Sequence, residues 1–131
     1  YARMYVKGNE LKRHKDRSNC KISATVNLGG EEWPIYIENN PNKGTAMNEK
    51  DSTSDYVPGN TKGEAVILKP GDLLLYPGFH LEHWRKPLPQ GKCVQLFLHY
   101  VDSKQSDAEQ RKYDGRPRLG VDQLLRKKQK G

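Results

Sequence analysis

Short strand-like segments, each followed by turn residues, occupy the first hundred positions and restrict this chain to a mainly β architecture. The clearest segments are residues 1–6, 21–28, 33–37, 65–68, 73–76 and 94–101. Turn sequences such as Gly29-Gly30, Pro70-Gly71-Asp72 and Pro77-Gly78 separate them. Many short strands at this spacing are typical of a barrel or a sandwich.

At 131 residues the chain is long enough for one domain with a single core. We place the β core at residues 1–102 and a C-terminal extension or tail at residues 103–131. Residues 39–63 are polar and predict a long loop, which is either a substrate lid or an insertion without that role. In the tail, residues 106–113 predict a short helix, and the apolar residues of 121–130 allow a second one.

The net charge of +7 suggests a nucleic-acid partner, but the distribution of the charge weakens this interpretation. Basic residues concentrate at 7–21 and 126–130, and the second group is typical of a solvated tail. We therefore do not favour a nucleic-acid partner. No apolar run approaches membrane-spanning length and no signal-peptide pattern is present, so we expect no membrane partner either.

The two cysteines, Cys20 and Cys93, lack the paired spacing of a zinc site and are too few for a disulfide scaffold. This predicts a reduced, intracellular protein, located in the cytoplasm.

Three residues with metal-binding side chains are the main candidates for a functional site: His14, Asp16 and the distant His83. In an extended strand, side chains two residues apart project to the same face, so His14 and Asp16 can bind one ion together. Two imidazoles and one carboxylate on one side of a metal suit non-heme Fe(II) oxygenases. Alternatively, the short motif is a charged strand end paired with its neighbouring cations.

Several segments in order resemble one enzyme family. A tyrosine and a glycine, Tyr5 and Gly8, precede the His-x-Asp motif, residues 69–76 form a turn followed by a strand, and residues 97–100 form a last strand. From about residue 1 to residue 102 the sequence resembles the Fe(II)- and 2-oxoglutarate-dependent dioxygenases, specifically their prolyl 4-hydroxylase-like branch.

The resemblance implies a double-stranded β-helix, the jelly-roll also found in cupins, with two four-stranded sheets facing each other. The helices that precede the barrel in the family are absent from this sequence. His14, Asp16 and His83 would bind Fe(II), with 2-oxoglutarate as cosubstrate, O2 as oxidant and ascorbate as a further candidate cofactor. The enzyme would be a hydroxylase that oxidises a C–H bond of a peptide or a small molecule. We prefer His83 over His80 because the residues after His83 lead into the last strand as in the family.

The family also holds the far carboxylate of 2-oxoglutarate with a buried cation. Lys92 fits the position after the distal histidine and is slightly preferred, while Arg85 is the alternative because a guanidinium binds carboxylates in a bidentate manner. Three further residues are candidate hydrogen-bond donors to 2-oxoglutarate: Asn27, Tyr5 and Tyr36. His99, on the last strand, is expected to be a packed or hydrogen-bonded core residue.

Two other interpretations stay open. Residues 70–80 also resemble the second cupin motif, but the sequence lacks the His-x-His and downstream Glu of the first. The other is a metal-free binding module whose basic surface recruits nucleic acid or an acidic partner.

Overall fold

The computed structural model describes residues 1–44 and 56–111, which contain eight strands, a 3-10 turn and a short helix. The strands are β1 (Ala2–Val6), β2 (Leu11–His14), β3 (Ile22–Gly30), β4 (Ile35–Ile37), β5 (Glu64–Val66), β6 (Leu73–Tyr76), β7 (His83–Arg85) and β8 (Lys92–Tyr100). The 3-10 turn covers Ser18–Cys20, and the helix α1 covers Ala108–Arg111. The mainly β prediction is confirmed.

The strands form two antiparallel four-stranded sheets, with the orders β1-β8-β3-β6 and β2-β7-β4-β5. Each strand pairs with its counterpart from the other end of the series: β1 with β8, β2 with β7, β3 with β6 and β4 with β5. The chain is therefore one long hairpin whose paired strands alternate between the sheets.

Residues of the two inner faces pack against each other. One cluster joins Ile35 and Ile37 of β4 to Tyr76 of β6. A second buried cluster joins residues of β1 and β8 to residues of the connections before β4 and after β7: Tyr5, Cys93 and Phe97 from the strands, and Trp33 and Leu88 from the connections. The two sheets thus enclose a common interior.

The inner face of the first sheet also carries polar side chains. Thr25 and Asn27 of β3 and Gln95 of β8 are almost completely buried. The Thr25 hydroxyl lies 3.0 Å from Oε1 of Gln95, and the Asn27 amide donates to the Leu68 carbonyl. Buried polar groups are costly unless they are hydrogen-bonded, so this interior has a defined polar lining.

A bulge in β3 ends the regular pairing with β8. The register shifts between Asn27 and Gly29, and Gly30 follows with a φ of 95°. A Cβ atom on Gly30 would lie 2.1 Å from the Lys92 carbonyl oxygen. Glycine is therefore required there by both backbone conformation and space.

Two local predictions can be compared with these bounds. The predicted strand 73–76 coincides with β6. Of the helix predicted over residues 106–113, residues 108–111 are helical, while residues 112 and 113 and the segment 121–130 lie outside the described residues. Among the helices of the described chain, none has the length and hydropathy to cross a bilayer.

Candidate metal centre

Three candidate ligands come together at one end of the second sheet. His14 is the last residue of β2 and lies opposite His83, the first residue of β7. Oδ1 of Asp16 is 3.4 Å from Nε2 of His14 and 3.4 Å from Nε2 of His83. One donor atom from each of the three residues lies within 4.8 Å of the others. The structure therefore unites the three residues that the sequence motif selected.

The path of the chain at Asp16 differs from the prediction of one extended strand. β2 ends at His14, and the backbone N–H of Asp16 donates to the carbonyl of Gly78 in the turn after β6. A Cβ atom on Gly78 would lie 2.2 Å from Oδ2 of Asp16 and 2.3 Å from Oγ of Ser23. The carboxylate consequently lies in a space that only glycine leaves open.

Both imidazoles are oriented by backbone carbonyls. Nδ1 of His14 lies 2.6 Å from the Lys12 carbonyl oxygen, and Nδ1 of His83 lies 3.1 Å from that of Leu81. A carbonyl oxygen only accepts hydrogen bonds, so each Nδ1 carries the hydrogen and each Nε2 faces Asp16. Metal-binding histidines are commonly held in this way by their second nitrogen.

The environment of Asp16 stabilises its charged form. Burial opposes ionisation, but the hydrogen bond from Ser23 and those that His14 and His83 donate when their Nε2 atoms are protonated outweigh it and hold the pKa of Asp16 well below its usual value. The Ser23 hydroxyl donates to Oδ2 at 2.6 Å. For His14, burial lowers the pKa, but the bond to Asp16 reverses this and the net shift is upward. The centre therefore attracts a cation, whether a proton or a metal ion.

The donor set fits a divalent metal. Donor atoms bound to one ion at about 2.1 Å are at most about 4.2 Å apart, and the two 3.4 Å separations satisfy that limit. Two imidazoles and one carboxylate form the facial triad of non-heme iron sites. The side chain of His83 is only 2% exposed, whereas that of His14 is 30% exposed, so the centre opens on the side of His14.

The two remaining described histidines have other surroundings. His80 is exposed in the turn after β6, beside the ring of Phe79, and does not belong to the cluster. His99 is half-buried on β8, with Nδ1 3.1 Å from Oγ of Ser23. His83 is thus the distal histidine of the cluster, and His99 lies next to the centre, behind Ser23.

The two cation candidates for 2-oxoglutarate lie in different environments. Lys92 is exposed at the start of β8, where Cys93 and Gln95 point inward, so it belongs to the outer face. Arg85 is 2% exposed on the inner face of β7, two residues after His83. Arg85 is therefore the buried cation of the two, and Lys92 is the exposed one.

Arg85 has an incomplete set of partners. It donates to the carbonyl of Trp33 and, at 3.2 Å, to Oε1 of Gln95, and its guanidinium lies over the Trp33 ring. Its Nε has no hydrogen-bond partner within the described ranges, and no carboxylate there acts on its pKa, which burial lowers. A buried guanidinium with an open donor is suited to an anionic ligand.

The three predicted hydrogen-bond donors are otherwise engaged. Asn27 donates to the carbonyl of Leu68, after β5, and accepts from the N–H of Gly29 at the bulge of β3. Tyr5 packs against Trp33 in the buried cluster, although its burial-raised pKa also responds to Arg85. Tyr36 stacks on Trp84 at 5.6 Å, on the outer face of the second sheet. The structure does not place Asn27 or Tyr36 as a donor at the centre.

The outer face of β2 and β7 holds an ion pair that sequence reasoning missed. Arg13 is 2.6 Å from Glu82, whose side chain is fully buried. Arg13 also donates to the carbonyl and hydroxyl of Thr61, while Tyr56 donates to Glu82 at 2.6 Å. Lys15, also buried, donates to the Pro41 carbonyl. The residues on either side of His14 thus anchor both described ends of the long β4–β5 connection.

Ser23 and Gly78 were also not identified from the sequence as residues of the site, although both lie against the carboxylate of Asp16. Ser23 was recognised only as part of a strand and Gly78 only as part of a turn. An inward-facing hydroxyl on the strand after a His-x-Asp motif is the signal that would have identified Ser23.

No protein-family model, curated protein or solved structure matches this chain.

Proposed function

We propose that this protein is an Fe(II)- and 2-oxoglutarate-dependent dioxygenase, a hydroxylase of the prolyl 4-hydroxylase-like type. The observation that carries the proposal is the convergence of His14, Asp16 and His83 with both Nε2 atoms facing the carboxylate. Bound Fe(II) would supply the activation of O2 that couples 2-oxoglutarate decarboxylation to C–H oxidation.

The strand pairing supports a double-stranded β-helix as the proposed fold. In a jelly-roll, a long hairpin of eight strands folds over so that its paired strands alternate between two sheets. The pairs β1–β8, β2–β7, β3–β6 and β4–β5 follow this scheme. A metal centre at one end of such a barrel is enclosed by the barrel interior on one side and is accessible from solvent on the other.

The protein's own contribution at the metal is orientation. The carbonyls of Lys12 and Leu81 fix the two imidazoles, and Ser23 holds Oδ2 of Asp16 so that Oδ1 faces them. These three residues would hold Fe(II), and the ion would keep open positions at which the cosubstrate and O2 bind.

Arg85 is the proposed partner of the far carboxylate of 2-oxoglutarate. It follows His83 by two residues on the same face of β7, a spacing of roughly 7 Å along a strand. A five-carbon dicarboxylate can extend from the metal toward this guanidinium. Its carboxylate would supply the buried cation with the counter-charge that the described side chains do not provide.

The long β4–β5 connection is the proposed substrate side. Its described ends are bound to Arg13 and Lys15, which flank His14 in the sequence. Arg13 makes these bonds on the outer face of the second sheet, whereas the imidazole of His14 faces inward to Asp16. A substrate-lid role for residues 39–63 therefore rests on the link through the backbone on either side of His14.

The first experiment is an anaerobic titration of the protein with Fe(II) in the presence of 2-oxoglutarate. We expect the weak visible charge-transfer band of the chelate, with succinate formed when O2 is admitted. Asp16→Ala should abolish both. If wild type gives neither the band nor succinate, the proposal is wrong, and steeply salt-dependent binding of nucleic acid would instead indicate a binding module.

A second experiment separates the two cation candidates. Arg85→Met should weaken 2-oxoglutarate binding about 100-fold or more, measured from the charge-transfer band at saturating Fe(II), because a buried charge-assisted pair is lost. Lys92→Met is the matched control and should leave this affinity within about twofold, since Lys92 is exposed on the outer face. The reverse result would restore Lys92 as the cosubstrate ligand. Circular dichroism of both variants checks that they are folded.

A further inference from the structure

We infer that Asp16, Cys20 and His99 form a second cation site, which takes a thiophilic divalent ion such as Zn²⁺. One donor atom from each residue lies within 4.8 Å of the other two. This site would share only Asp16 with the proposed iron centre. It requires neither Fe(II) nor 2-oxoglutarate, so it stands or falls independently of the proposed enzyme activity.

Three segments that are distant in sequence build this cluster. Cys20 ends the 3-10 turn that follows the His-x-Asp motif. His99 lies near the end of β8, directly opposite Ser23 of β3. The turn packs against the end of β8, which brings the thiol and the imidazole to the same side of Asp16. All three side chains are partly accessible to solvent, so an ion can reach them.

The two oxygens of Asp16 face different groups. Oδ1 lies 3.4 Å from Nε2 of both His14 and His83. Oδ2 accepts the Ser23 hydroxyl, and Oγ of Ser23 lies 3.1 Å from Nδ1 of His99. A carboxylate oxygen has two lone-pair positions, so Oδ2 can accept the Ser23 hydrogen bond and bind a cation at once. Asp16 can therefore bridge two ions through its two oxygens.

The donor atoms of the two sites favour different metals. The first offers two imidazoles and a carboxylate, which suits Fe(II). The second replaces one imidazole by a thiolate, and a set of one Cys, one His and one carboxylate suits Zn²⁺, with a fourth position left for water. Binding would require the Cys20 thiol to lose its proton to solvent as the S–metal bond forms.

The probe for this site is Co²⁺, because cobalt bound to a thiolate gives a near-ultraviolet charge-transfer band that the first site cannot produce. Wild-type protein titrated with Co²⁺ under reducing conditions should show this band and bind one equivalent more than Cys20→Ser. Cys20→Ser should lose the band together with that equivalent. His99→Ala should weaken cobalt binding at the same site at least tenfold.

Two control variants make the test specific. Cys93→Ala removes the other thiol, which is completely buried in the aromatic cluster, and should retain the band. His14→Ala impairs only the first site and should also retain it. The inference is overturned if wild type shows no band, or if wild type and Cys20→Ser bind the same number of cobalt ions. A band that survives in Cys20→Ser and disappears in Cys93→Ala would likewise overturn it.

Discussion

The inner and outer faces of β2 and β7 differ in how completely their polar groups are satisfied. On the outer face, Arg13 and Glu82 form a 2.6 Å ion pair with further bonds to Thr61 and Tyr56. On the inner face, the adjacent residues His14 and His83 direct their Nε2 atoms at the single carboxylate of Asp16. The charge of Glu82 on the outer face is matched by a guanidinium, whereas the inner face has the donor set of the proposed metal centre.

This difference assigns separate roles to neighbouring residues. Glu82 is a fully buried carboxylate whose charge is matched by a guanidinium, and its pKa is lowered although burial opposes this. The pKa of Asp16 is lowered, against the effect of burial, by its interactions with His14, His83 and Ser23. We therefore expect outer-face substitutions to reduce stability and inner-face substitutions to reduce metal affinity.

The largest expected effect is on stability, in Arg13→Met. Among the described residues, Glu82 would keep Tyr56 and the Gly59 amide as partners but no cation, and removing one member of a buried pair costs about 3 kcal/mol. Urea denaturation of the metal-free protein measures this loss. The control is Lys12→Met, an exposed neighbour on the same strand, which should change stability by less than about 0.5 kcal/mol. If Arg13→Met lowers the free energy of unfolding by less than about 1 kcal/mol, the outer face of β2 and β7 does not have the stabilising role assigned to it.

The second effect is on metal affinity, in His14→Ala. Loss of a direct ligand should weaken Fe(II) binding at least about 100-fold, since changes at outer-shell partners alone cost 10–100-fold. The side chain is 30% exposed, so the metal-free protein should lose no more than about 1 kcal/mol of stability. Anaerobic calorimetry with Fe(II) measures the metal affinity, and urea denaturation measures the free energy of unfolding. Equal Fe(II) affinity in variant and wild type would exclude His14 as a ligand.

A smaller effect is expected for Ser23→Ala. The variant loses the hydroxyl that fixes Oδ2 of Asp16, and Fe(II) affinity should fall about tenfold. Thr25→Ala is the matched control, because its hydroxyl bonds to Gln95 instead of Asp16, and its Fe(II) affinity should equal that of wild type. If both variants lose affinity to the same extent, the effect comes from the strand and not from the hydrogen bond.

Parts of the fold could be predicted from local sequence and parts could not. β6 is a continuous apolar run between two Pro-Gly turns, which is sufficient to define it. β7 is only His83-Trp84-Arg85, without an apolar run, and it is a strand because it pairs with both β2 and β4. Pairing of this kind is a tertiary effect that single-sequence patterns do not contain.

Some residues of the candidate site could likewise be predicted from the sequence and others could not. His14, Asp16 and His83 were predictable because a motif and an ordered set of segments selected them. The choice between Lys92 and Arg85 depends on strand parity, since a shift of one residue moves a side chain to the opposite face. Cys93 and Gln95 are buried, so Lys92 faces outward. The number of residues after the distal histidine does not determine which face of β8 a side chain occupies. No local sequence pattern showed that Gly78 leaves room for Asp16.

The smallest expected effect is that of Tyr36→Leu, which tests whether the outer face contributes to cosubstrate binding. Tyr36 stacks on Trp84 with nearly parallel rings, and its neighbours Ile35 and Ile37 are the inward residues of β4. Loss of the stack should cost about 0.5–1.5 kcal/mol of stability in urea denaturation. The affinity for 2-oxoglutarate, measured at saturating Fe(II), should stay within about twofold of wild type. A tenfold loss would make Tyr36 a cosubstrate ligand after all, and the division of roles between the two faces of the second sheet would fail.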